Sequence, residues 1–308
     1  MLTAFTLALC CALSWQPLQG GERLPLQKKN IKIGQPAPYA PEAEGYDKKG
    51  NPIYWDPKPH VVPLGDGKYA FKWTGHNGRE LTLLYQRPDA VDVVVAASAL
   101  HLPGGSFRYE YQVRNLKSSE LDLGGFAVRL LSRRADALSD TSTMAVNPWR
   151  LLKQDFQEGA WISFHPRRGQ TPIGPGREAS LALVSPDPPA IVECQAYGGD
   201  LTIKGVGEES PTVLEDLYLR PDAWPHGYTI GPDERISKMS AKTRLEYLTE
   251  HLPQMLQLGW IEDKPTMQWY KDNLQAGKTV EVRTRAQKDF ERKLITSEVV
   301  ALVSYLLQ

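Results

Sequence analysis

Six histidines stand at His60, His76, His101, His165, His226 and His251. No two are two to five residues apart, and neither His-Glu-x-x-His nor Cys-x-x-Cys occurs, so no local spacing builds a metal site. Asp47-Lys-Lys-Gly-Asn51 offers two oxygen ligands beside two lysines, which oppose a cation; it reads as a turn. Nucleophile signatures are missing: there is no Gly-x-Ser-x-Gly elbow and no Ser-x-x-Lys with its partner motifs. Glycine-rich phosphate loops are missing too. A carboxylate pair assembled in space stays open. Glu193 is the one acid placed by strand spacing, on a face with Ile191 and Gln195, whereas Glu208-Glu209 and Glu215-Asp216 read as exposed acids in a connecting stretch. No catalytic residue, metal ligand or cofactor is assigned.

One segment combines residue types suited to binding. In Trp161-Ile-Ser-Phe-His-Pro-Arg-Arg168 the apolar pair Ile162 and Phe164 points inward at strand period. That turns Trp161, Ser163 and His165 outward, with Arg167 beyond them. An indole beside imidazole, hydroxyl and guanidinium groups can hold a sugar or an acidic peptide. The same Trp161 could instead pack under residues 21–63 or against the C-terminal helices. Trp224-Pro-His226 is a second aromatic anchor, read as a docking point.

The elements that must position these residues fall into two textures. From 64 to 219 short alternating segments lie between turn signals: Lys68–Trp73, Glu80–Gln86, Val91–Leu100, Phe107–Asn115, Phe126–Leu131, Trp161–His165, Ala179–Ser185 and Ala190–Tyr197. In Phe107–Asn115 the apolar Phe107, Tyr109, Tyr111 and Val113 alternate strictly with Arg108, Glu110, Gln112 and Arg114. Many short strands without intervening helices predict an antiparallel, immunoglobulin-like β-sandwich. Arg133–Met144 is polar and reads as a loop or short helix. Residues 220–239 read as a linker, rich in Gly and Pro. From 240 to 308 helix formers dominate. Leu245, Leu248, Leu252, Met255 and Leu256 recur at helical spacing up to Gly259, with Pro253 predicting a kink or split. Thr266–Ala276, Thr279–Leu294 and a segment opening at Thr296-Ser297-Glu298 predict three more helices, the last with a hydroxyl cap. The fold class is therefore all-β plus all-α, a sandwich followed by a small four-helix bundle.

Composition bounds the function. Lys+Arg and Asp+Glu are both 36, so the chain lacks the basic field of a nucleic-acid binder. Residues Leu2–Leu13 form an apolar run too short for a membrane helix, which needs about 20 residues, and the right size for a signal-peptide core. Small residues at Ala12 and Ser14 predict cleavage after Ser14, making 1–14 a leader; the segment before the apolar run carries no Lys or Arg. Residues 15–63 form a proline-rich arm. Cys10 and Cys11 leave with the leader, so the single remaining Cys194 cannot form an internal disulfide and reads as a small buried hydrophobe.

Two features resemble known proteins. Phe107–Asn115, the later Ile173-Gly-Pro-Gly176 and Ser185-Pro186 resemble uncharacterised exported bacterial proteins with an immunoglobulin-like sandwich. Leu258-Gly-Trp-Ile261, a middle helix, and Leu294-Ile-Thr-Ser-Glu298 before an apolar end are similar to helical modules of the FIMAH type. The resemblance implies a secreted, modular context and transfers no catalytic residue. The expectation is an exported, periplasmic or surface, non-enzymatic binding or assembly protein. Its partner is a surface glycan, a peptide or another exported protein, with no nucleic acid and no transmembrane segment in the mature chain. A glycan-directed hydrolase or its accessory module, and a purely structural scaffold, remain the alternatives.

Overall fold

The computed structural model describes residues 24–27, 45–46, 52–53, 59–65, 68–75, 78–131, 149–156, 159–166, 172–199 and 224–308. The leader 1–14, Arg133–Met144, Arg167 and all of 200–223 lie outside the described residues.

The described chain forms thirteen strands: β1 Gly45–Tyr46, β2 Pro52–Ile53, β3 His60–Gly65, β4 Lys68–Thr74, β5 Glu80–Gln86, β6 Val93–His101, β7 Phe107–Asn115, β8 Leu123–Leu130, β9 Trp149–Phe156, β10 Gly159–Pro166, β11 Glu178–Ser185, β12 Pro189–Gly198 and β13 His226–Pro232. Five helices follow: α1 Glu234–Ser237, α2 Ala241–Gln257, α3 Lys264–Gln275, α4 Thr279–Glu291 and α5 Ser297–Leu306. Every named strand pair is antiparallel.

Two sheets face each other. One runs β13-β12-β8-β10-β9 and the other β11-β7-β6. Alternation explains the layer between them. Tyr109, Tyr111 and Val113 of β7 and Leu181 and Leu183 of β11 point in and are fully buried. Phe126 and Val128 of β8, Ile162 and Phe164 of β10, and Cys194 and Ala196 of β12 meet them. The Tyr111 ring lies 5.7 Å from Phe126 and 6.0 Å from Phe164. Burial pushes the Cys194 thiol well above its ordinary range, with Glu193 and Glu298 adding to the shift. Strands β3, β4 and β5 form a third, three-stranded sheet whose Phe71, Trp73, Leu83 and Tyr85 are buried.

The region expected to be a linker, 220–239, instead holds β13 and α1. Pro189–Gln195 of β12 pairs along the whole of His226–Pro232. Gly and Pro crowd both ends of this strand, which is why composition alone reads as a connection.

The helices do not stand apart. One hydrophobic core runs from Val93 and Phe107 through Leu248 and Tyr270 to Val299 and Leu306. Each longer helix packs on the next, α2 also packs on α5, and α5 packs on β6 and β12. Polar ties cross the same boundary. The Ala97 N–H of β6 donates to the buried Glu298 carboxylate at 2.6 Å, and the Ile191 N–H of β12 donates to the Tyr247 hydroxyl at 3.1 Å. The Phe107 and Tyr305 rings meet edge to face at 4.9 Å. Helix α2 is unbroken through Pro253, so the expected split does not occur. Helices α2 and α3 end at Gly259 and Gly277, both left-handed at φ 69°, and α4 ends the same way at Lys293, φ 63°. Thr296 occupies the N-cap of α5 with extended backbone but makes no side-chain cap bond, in contrast to the expected hydroxyl cap. No helix among the described residues is long and apolar enough to cross a membrane.

Candidate functional site

Strands β13, β12, β8 and β10 lay out a face on the side of the five-stranded sheet away from β7. Register fixes its rows. Tyr228 of β13 stands opposite Glu193 of β12, and Arg129 of β8 opposite Trp161 of β10. In the next row His226 faces Gln195, Gln195 faces Ala127, and Ala127 faces Ser163. Beyond it Tyr197 faces Gly125. The Arg129 guanidinium donates to the Glu193 carboxylate at 2.7 Å, joining β8 to β12 across this face.

The base of the face is aromatic. The Tyr197 hydroxyl and His165 Nδ1 share a hydrogen bond, and the Tyr197 ring stacks obliquely on Trp224 at 4.7 Å. Glycine makes room for this: a Cβ at Gly125 would lie 2.2 Å from Tyr197 Cζ. Trp224 is buried against Tyr197 within the sheet's own outer face.

Exposure divides the face. Trp161 and Ser163, expected to point outward to solvent, do lie on the outward face but are only 3% and 2% exposed. His165 is half-buried, and Arg167 lies outside the described residues. Alternation placed Trp161, Ser163 and His165 on the outward side of the sheet; it could not report that this side is covered at Trp161 and Ser163. The open end is at β12 and β13. Tyr228 is 41% exposed there, with His226, Gln195 and Glu193 half-buried around it. Sequence reading missed Arg129, Gln195, Tyr197 and Tyr228. The usable signal was Tyr228-Thr-Ile230, a short alternating run between Gly227 and Gly231.

The arrangement offers an aromatic ring, an imidazole, an amide and an ion pair on a shallow surface. Such a set can stack on and hydrogen-bond a polar ligand. Three buried carboxylates elsewhere hold structure instead. Asp89 pairs with Arg87; Asp233 caps α1 and pairs with Arg235; Asp289 receives Arg285 at 2.9 Å and the Tyr270 hydroxyl at 3.1 Å. Among the described residues no three His, Cys, Asp or Glu side chains converge on one point.

No protein-family model matches the chain, and no curated protein matches it. Solved structures show distant similarity. An uncharacterised protein from Nocardia farcinica with an immunoglobulin-like fold is 13% identical at a TM-score of 0.26, covering 43% of this chain and 95% of that one. The mu homology domain of Fcho1 from Danio rerio, solved with a bound peptide, is 9% identical at a TM-score of 0.23, covering 51% of this chain and 50% of that one. The major pilin SpaD of Corynebacterium diphtheriae is 10% identical at a TM-score of 0.25, covering 57% and 62%.

Proposed function

We propose that this chain is an exported, non-enzymatic binding and assembly protein, and that the open end of the five-stranded sheet's outer face is where it holds a surface glycan. The carrying observation is the exposed Tyr228 ring set among His226, Gln195 and the Arg129–Glu193 pair. A tyrosine face stacks on the apolar face of a sugar ring while flanking polar groups take its hydroxyls. The structural use of Asp89, Asp233, Asp289 and Glu298 supports binding over acid–base hydrolysis. The sandwich reads as immunoglobulin-like and residues 240–308 as a FIMAH-type four-helix unit. The antiparallel bridge Ile261–Ile295 brings together the two segments that carry the FIMAH resemblance, ahead of α3 and α5.

The test is retention on isolated cell-wall glycan. Tyr228→Ala should weaken it about tenfold, the equivalent of about 1.4 kcal/mol, with an unchanged melting temperature. Equal retention of the variant and the parent overturns the site. N-terminal sequencing of the protein from its native cells tests export: a start near residue 15 is expected, and an intact Met1 overturns it.

A further inference from the structure

The short segment Leu24–Gln27 is bound at the place where the two facing sheets leave an opening. Leu26 N–H donates to the Val93 carbonyl of β6 at 2.8 Å. Gln27 N–H donates to the His226 carbonyl of β13 at 2.7 Å, and His226 N–H returns a bond to the Gln27 carbonyl at 2.8 Å. The segment therefore bridges an edge strand of each sheet. The Leu26 side chain is buried in the shared core. Its seat is the bare backbone of Gly227, where a Cβ would lie 2.7 Å from Leu26 Cδ2. Farther along β6, Glu298 occupies the edge at Ala97.

We infer that Leu24–Gln27 is an exchangeable strand and that the slot between β6 and β13 accepts the same segment from a second copy of this chain. Among the described residues the attachment is three backbone hydrogen bonds and one buried leucine, where β12 and β13 pair over seven positions. Short attachments of this kind open far more readily than the core. Chain length permits the exchange. Between the segment and β3, residues 28–44 and 54–59 flank the paired β1 and β2 and have a contour length of up to about 75 Å, against a domain radius of gyration of about 20 Å. An extended peptide added to a sheet edge takes its affinity from main-chain hydrogen bonds, which a second copy supplies identically. Exchange of an identical element between copies is an inexpensive route to assembly. Occupancy by the chain's own segment is favoured by an effective concentration on the order of millimolar, so pairing between copies belongs to a crowded surface or to a covalent trap.

This inference rests on the assembly half of the reading above and uses none of the outer-face side chains, so Tyr228→Ala leaves it intact and the two can fail separately. The test uses full-length chains carrying Cys10→Ser and Cys11→Ser. A Gly227→Cys chain, whose new side chain crowds the tip of its own Leu26, is mixed under mild oxidation with a Leu26→Cys chain. The expected result is a covalent dimer on a non-reducing gel at least tenfold above that from Gly227→Cys mixed with Val280→Cys, a distant exposed position. A single chain carrying both Leu26→Cys and Gly227→Cys should close an internal disulfide, confirming the seat. Closure in the double variant with no dimer above the control overturns exchange, and failure of the double variant to close overturns the slot itself.

Discussion

Strands β7 and β10 have nearly the same sequence texture and opposite fates. In β7 the inward residues Phe107, Tyr109, Tyr111 and Val113 are buried while Arg108, Glu110, Gln112 and Arg114 reach solvent in whole or part. In β10 Ile162 and Phe164 point in as the pattern demands, yet Trp161 and Ser163 on the other side are buried as well. The difference is position. β7 lies in a three-stranded sheet whose outer side carries the ion pairs Arg108–Glu110 and Arg114–Glu178, at 2.9 and 3.1 Å, along this strand. β10 lies inside a five-stranded sheet whose outer side is covered at that point. Period-two alternation states which side of the sheet a residue takes; exposure is decided by what packs there later in the chain.

The sharpest way to break this contrast is to truncate the outward residue of each strand. Trp161→Ala should cost about 3–5 kcal/mol by urea unfolding, since it empties a large buried volume. Gln112→Ala, on the outward side of β7, should stay within about 0.5 kcal/mol. Similar costs for the two would show that the outer side of β10 is not a packed layer. The next effect reads the same layer from β8. Gly125→Ala drives a methyl group into the Tyr197 ring and should cost about 2–3 kcal/mol. Near-parental stability would mean that Tyr197 leaves the face freely.

How much of this was legible follows the same line. Phe107–Asn115 was readable to the residue from its strict alternation, and Glu80–Gln86 from the one apolar row Leu81, Leu83 and Tyr85, although Leu84 interrupts its other face. β9 was not: Trp149–Phe156 places Leu151 and Leu152 side by side, so neither face is consistently apolar. β3 carries Pro63 and lies at the edge of its sheet, where a missing N–H is tolerated. The helices were legible from spacing, and Gly259 and Gly277 stand where the chain needs left-handed backbone. Their union with the sandwich was not legible. Nothing near Glu298 in sequence announces that its carboxylate meets the Ala97 N–H, about 200 residues away. The candidate face shares that limit. Trp161, Ser163 and His165 were placed on the correct side, while the exposed end depends on β13, a strand whose pairing arises only in three dimensions.

The third test addresses that junction. Glu298→Gln keeps an acceptor oxygen and removes the charge, so the bond from Ala97 weakens without a lost partner. The expected cost is about 1–2 kcal/mol. If β6 and α5 are one cooperative unit, circular dichroism in the helical band and tryptophan fluorescence still report a single, shifted transition. Two separated transitions would return the helices to the status of an independent module.

The smallest effect lies where no sheet intervenes. The Asp263 carboxylate accepts the Thr266 N–H at 2.7 Å at the start of α3. That backbone bond first, and the Thr266 side chain second, hold its pKa below the ordinary value. Its contribution is therefore fully present above the unfolded-state value of about 3.9 and is lost as pH falls through the lower folded value. Asp263→Asn retains a cap oxygen, so its melting temperature should lie only slightly below the parent at pH 6. The gap should close as the pH is lowered toward 2, because the parent then loses the charge the variant never had. A gap that persists at pH 2 would mean that geometry alone makes the cap. Asp263, Lys264 and Pro265 specify this start within three consecutive residues. Spacing in the sequence starts this helix at Thr266, past its Asp263 cap, and predicts a hydroxyl cap at Thr296 that makes no side-chain bond, so the presence of a helix is read from spacing more directly than the residue that caps it.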